Sequence, residues 1–140
     1  MSEQGLETLD SAFQKAHEWI NSIAETSHLE KRDAYKALRA VMITLRDRLP
    51  VDEAAHFGVQ LPLLLRGIYY EGWKPSATPI QMSREEFLSA VGEKIVADRF
   101  IDPVRMTHDV LGVLNTYLSP GELEKIRQIL PEELRSLWPA

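Results

Sequence analysis

Through most of the chain apolar residues recur at steps of three and four, the period of a helix with one face turned to a core. Leu6, Leu9, Phe13, Ala16, Ile20 and Ile23 predict a first helix over 5–24. A polar stretch from Thr26 to Arg32 interrupts it. Asp33 then suits an N-cap, because its carboxylate can accept from the free amides of a helix start. Tyr35, Leu38, Met42, Leu45 and Leu49 form the face of the second helix, which Pro50 ends for want of a backbone donor. The third helical stretch starts near Val51, with Asp52 and Glu53 placed where the helix dipole favours acids. Its face is Ala54, Phe57, Leu61, Leu64 or Leu65, and Ile68. Pro62 falls inside it and predicts a kink or break at Leu61, and Gly72 stops it.

Between Gly72 and Met82 the sequence WKPSATPIQ has two prolines and no helical period, so 73–82 reads as a linker. The plan then repeats. Ser83 with Glu86 forms a capping box, and Phe87, Val91 and Ile95 carry a helix to about Ala97. Asp102-Pro103 is an N-cap followed by proline at the first helical position, with Val104, Leu111, Leu114 and Leu118 as the face behind it. Ser119-Pro120-Gly121-Glu122 combines a capping box with a first-turn proline and opens a helix carrying Leu123, Ile126 and Leu130. Pro131 interrupts that helix as Pro62 does the earlier one, leaving Leu134 and Leu137 to a short last helix.

Aligned without gaps, Asp33–Tyr70 and Asp102–Pro139 share nine of 38 residues. The identities include Leu45/Leu114, Leu49/Leu118, Glu53/Glu122, Leu61/Leu130, Pro62/Pro131 and Arg66/Arg135. They fall on cap, core face and mid-helix proline, so an internal duplication accounts for them better than coincidence. The expected fold is an all-α, single-domain helical bundle over 1–140. It consists of two pseudo-repeated three-helix units, 5–72 and 83–139, with the third helix of each kinked or broken at a proline. Three short amphipathic helices leave apolar surface bare, so the two units should pack face to face.

Bulk properties narrow the chemistry. At 140 residues, 44% hydrophobic and 26% charged, this is an ordinary globular composition. The net charge of −5 is spread over both halves, which leaves no basic footprint for nucleic acid. There is no cysteine, hence no thiol nucleophile, zinc-thiolate site or iron–sulfur ligand. The N-terminus lacks a signal-peptide pattern, and no apolar run approaches a membrane span; a cytoplasmic protein without membrane partners is expected.

Several residues admit a functional and a structural role. Glu53, Arg66, Glu122 and Arg135 recur in both units. A reactive centre is needed once, whereas a capping or ion-pair role is needed in each copy, so a structural role is expected. The arginines can bond carboxylates or helix C-terminal carbonyls. The aromatic group Tyr69, Tyr70 and Trp73, with Glu71 and His56, belongs to the first unit alone. It suits a partner surface or a pocket, or simply the seam between units. His17, His28, His56 and His108 show no metal-ligand spacing, and His108 and Asp109, being adjacent, should point apart on a helix. Arg32, Lys36, Arg39 and Arg46 form a basic stripe that fits a solvated face better than a phosphate backbone. No catalytic residue, metal or cofactor is assigned.

The segment LRDRLPVDEAAHFGVQLPLLLRGIYYEGW resembles a bacterial family, domain of unknown function 2267. The likeness rests on Leu49-Pro50, Glu53-Ala54, Gln60-Leu61-Pro62 and Arg66-Gly67-Ile68-Tyr69-Tyr70-Glu71-Gly72-Trp73, and extends more thinly over the second half. It implies a small helical protein and brings no activity, catalytic residue or cofactor. The expected function is a non-enzymatic protein-interaction or self-association module, with Tyr69–Trp73 as its surface. The alternative is a small-molecule-binding or enzymatic domain with a pocket between the units near His56, Glu71 and Arg66.

Overall fold

A computed structural model describes residues 6–139. Eight α-helices follow in order: α1 (Leu6–Ser27), α2 (Lys31–Arg48), α3 (Val51–Val59), α4 (Leu63–Tyr70), α5 (Arg84–Lys94), α6 (Pro103–Tyr117), α7 (Pro120–Ile129) and α8 (Glu132–Arg135). The described residues contain no strand. A 3-10 turn at Pro75–Ala77 lies in the connector between α4 and α5.

α2 is the axis of the molecule. Twelve of its 18 residues are buried, against the single apolar face that its periodicity predicts. α1, α4, α5 and α6 all pack on it, and Ala34, Ala37 and Ala40 keep its surface low enough for close approach. The predicted basic stripe is therefore not one face. Arg46 is only 3% exposed, Lys36 donates to the Val96 carbonyl, and Arg39 sits 4.0 Å from Glu71.

Several boundaries differ from the sequence expectation. α1 runs on to Ser27 rather than stopping at Ala24. His28 then takes a left-handed conformation (φ 57°), and the Leu29 amide bonds back to the Ala24 carbonyl at 3.0 Å, a Schellman closure. That tight reversal starts α2 two residues before Asp33. Glu30 occupies the cap position without a side-chain bond, and Asp33 is buried in the first turn. α5 ends at Lys94, short of Ala97, with Ile95 half-buried. The buried face of α6 is centred on Met106, Thr107, Val110, Leu111 and Leu114, which leaves Val104 exposed. Leu6, Leu9 and Phe13, assigned by period to the core, are exposed.

Other signals match in detail. Ser83 and Glu86 form both bonds of the capping box, at 3.1 and 2.8 Å, and those bonds hold the Glu86 carboxyl below its usual pKa. Asp102 caps α6 by accepting from the Val104 amide at 3.0 Å, with Pro103 at the first position. Of the capping box expected at Ser119–Glu122 only one bond forms, Ser119 accepting from the Glu122 amide at 3.2 Å. Both predicted proline breaks occur, between α3 and α4 at Leu61-Pro62 and between α7 and α8 at Leu130-Pro131. The connector after Gly72 (φ 70°) is tied down, since the Ile80 amide donates to the Asp47 carbonyl at 2.8 Å.

Breaking a helix frees its last carbonyls, and arginines take them up. Arg66 bridges the first break with Nε 3.1 Å from the Gly58 carbonyl and Nη2 3.3 and 3.1 Å from those of Val59 and Leu61. Arg135 donates across the second to the Leu130 carbonyl at 3.0 Å. Among the described residues neither makes an ion pair, with Glu53, Glu122 or any other acid. Arg66→Met should lower unfolding free energy by about 2 kcal/mol, since three carbonyls lose a charged donor. Arg135→Met should cost less than half as much. Urea unfolding of both variants checks this, and equal or negligible losses would contradict it.

Candidate functional site

Tyr69, Tyr70 and Trp73 form a chain of rings that fastens α4 to α3. Tyr69 is fully buried. Its hydroxyl donates to the Ala54 carbonyl at 2.6 Å, and its ring lies 5.5 Å from Phe57 and 5.0 Å from Tyr70. Tyr70 is half-buried and donates to the Ala55 carbonyl at 3.3 Å. Gly58 makes room for it: a Cβ there would fall 2.3 Å from the Tyr70 hydroxyl oxygen. Trp73, 5.3 Å from Tyr70, is half-buried, with its Nε1 sealed and without an acceptor. Glu71 and His56 are exposed. The aromatic cluster thus spends most of its surface inside the first half, and only its edges reach solvent.

A broad cleft lies elsewhere. It encloses about 710 Å³ between Thr8, Ala12, Lys15 and Trp19 of α1 and the break residues Gln60–Leu63, with Arg66 and Tyr117 at its margins. Of the residues expected around a pocket, Arg66 alone lines it; His56 and Glu71 do not. Tyr117, the last residue of α6, stacks on Trp19 at 4.8 Å and shares a 2.9 Å hydrogen bond with Ser22 Oγ. Glu7, Lys15 and Glu18 add charges of both signs. Among the described residues no histidine lines the cleft, which carries the Thr8 and Ser11 hydroxyls.

A smaller hollow of about 400 Å³ includes His108 and Asp109. Contrary to the expectation that they diverge, His108 Nδ1 lies 3.5 Å from Asp109 Oδ1. Asp109 also accepts from Ser27 Oγ at 2.8 Å and faces Arg105 Nε at 3.5 Å, while Arg105 donates to the Ser27 carbonyl at 3.0 Å. The carboxylate thereby locks the end of α1 to α6. Among the described residues no three His, Asp or Glu side chains converge to hold a metal ion, and no helix is long and apolar enough to cross a membrane.

The profile of a family described as an uncharacterized conserved protein, DUF2267, matches residues 16–137. The chain belongs to that family. No curated protein matches the chain. The DUF2267 match takes in both proline breaks, the aromatic cluster and Tyr117, and it begins inside α1. The two turns bearing Leu6, Leu9 and Phe13 lie before it. Periodicity identified those three as helical, but it has no means of telling a face that meets the core from one that overruns it.

The buried Tyr69 phenol gives a measurable signature. Burial, reinforced by neighbouring Tyr70, raises its pKa far above the usual value. The unfolded chain therefore gives up this proton first, from about pH 10 upward. Stability should fall above that pH by about 1.4 kcal/mol per pH unit for this one group. Tyr69→Phe should remove that part of the alkaline decline. Identical pH profiles for the two proteins would contradict the burial.

Proposed function

We propose that this protein is a non-enzymatic contact module, built from two mated copies of one three-helix unit and associating with further copies through the start of α1. Support for the duplication comes from donors at matched positions that hold the chain at the end of each half. Arg46 donates to the Tyr69 and Glu71 carbonyls at 2.8 and 2.7 Å, closing the end of α4. Asn115, its counterpart 69 residues on, donates to the Pro139 carbonyl at 3.1 Å and accepts from Trp138 Nε1, holding the chain after α8. Arg66 and Arg135 reach the equivalent carbonyls Leu61 and Leu130. The packing is also reciprocal. α1 lies on α2 and α4 and on α6, while α5 lies on α6 and α8 and on α2, so each first helix packs on its own unit and on the second helix of the other.

The contact reading rests on one observation: Leu6, Leu9 and Phe13 are 42%, 53% and 61% exposed in a row along one flank of α1. Apolar side chains gathered this way mark association surfaces more often than isolated ones do. α1 has 22 residues and α5 only 11, so these turns have no counterpart in the second unit. Exposed His56 and Glu71 are secondary contact candidates, whereas Tyr69 serves the interior. The second reading, a small-molecule site, is favoured by the 710 Å³ cleft beside the same helix.

Sedimentation analysis over micromolar to millimolar concentrations tests the first reading. The wild-type protein should associate reversibly. Leu9→Lys/Phe13→Lys should remain monomeric and keep its melting temperature, because both side chains already face water. A wild-type protein that stays monomeric, or a variant that associates equally, would overturn α1 as the contact face between copies.

A further inference from the structure

Five arginines in this protein donate to main-chain carbonyls: Arg46, Arg66, Arg105, Arg127 and Arg135. Arg48, the last residue of α2, does not. It is 6% exposed, yet among the described residues no hydrogen bond or ion pair reaches its side chain, and its Nε is sealed from water without an acceptor. Arg46, two residues earlier on the same helix and equally hidden, spends its guanidinium on Asp47 Oδ1 (2.8 Å) and two carbonyls. The matched position in the second half, Tyr117, is also partnered, through Ser22 and the Glu18 carbonyl. Those partners come from the long α1; the shorter α5 offers none to Arg48.

A covered guanidinium whose inner nitrogen has no acceptor is costly, and proteins resolve such a charge with a counter-charge. Glu133, on α8, favours the Arg48 cation but is exposed and outside ion-pair distance. Burial accordingly lowers the Arg48 pKa despite Glu133. Only Nε is sealed, so the terminal nitrogens stay within reach from outside.

We infer that Arg48 is the receptor of a small-oxyanion site at the end of α2, taking phosphate or a small carboxylate on its guanidinium edge. The planar fork offers two parallel N–H donors, which match a pair of oxygens on either group. Chloride, a single spherical acceptor, matches them poorly. The site sits away from the α1 face and from the large cleft, so it stands or falls independently of the contact reading.

The test uses the intact protein, with sodium phosphate, sodium acetate and sodium chloride compared at matched ionic strength. Phosphate or acetate should raise the melting temperature saturably, by about 3 °C at ten times the dissociation constant, and should move the Arg48 Nε–Hε signal in nitrogen-edited NMR. Chloride should do neither. A response to phosphate alone, or to acetate alone, assigns the oxyanion geometry. Arg48→Met should lose the anion response and melt higher than wild type in anion-free buffer, because it removes an unpaired charge from a covered position. Arg66→Met, whose arginine is already committed to carbonyls, should keep the response. An unmoved Arg48 Nε–Hε signal at 50-fold molar excess and above of both anions would overturn the site, and that reading needs no variant to fold. So would a melting response that survives in Arg48→Met.

Discussion

A chain broken into many short helices multiplies helix ends, and each end leaves carbonyls that must find donors. The decisive case is Arg46. Its guanidinium, buried beside α2, takes the carbonyls of Tyr69 and Glu71 at the end of α4. An eight-residue helix starting after a proline has little stability of its own. Fixed by Arg46 at one end and bridged by Arg66 at the other, α4 becomes part of the α2 scaffold. Tyr69 is then carried into the core and Tyr70 across Gly58. Arg105 does the same for the end of α1, and Arg127 for the chain after α8.

Local chemistry was legible because it needs few residues. Ser83 with Glu86, Asp102-Pro103 and the two leucine-proline breaks are complete within four positions, and each appears as expected. What escaped was set by the second layer of packing. α2 carries Arg, Lys and Asp at intervals that look like a wet face, yet twelve of its residues are buried, Arg46 bonding inward to the end of α4. Arg46 could not be told from Arg39 by spacing: one closes a helix in the interior, the other rests beside Glu71 at the surface. Asp33 has the right residue type for a cap, but the reversal at His28 starts the helix two residues before it. The row Leu6, Leu9 and Phe13 has the period of a core face, and period does not encode where the neighbouring helices stop.

The candidate site was less legible than the fold. The sequence drew attention to the bulky letters from Tyr69 to Trp73, and those largely hold α3 and α4 together. The surfaces with unspent capacity are quieter in sequence: the flank of α1, the cleft under Lys15 and Arg66, and Arg48.

The central claim is that Arg46 holds the α3–α4 arm onto α2 as a local unit. Native-state amide hydrogen exchange on Arg46→Met tests it most directly. The account predicts that amides in 51–70 lose most of their protection while those of α6 and α7 keep theirs, since the lost donor served only the first arm. Protection lost evenly along the whole chain, or retained in α4, would contradict it.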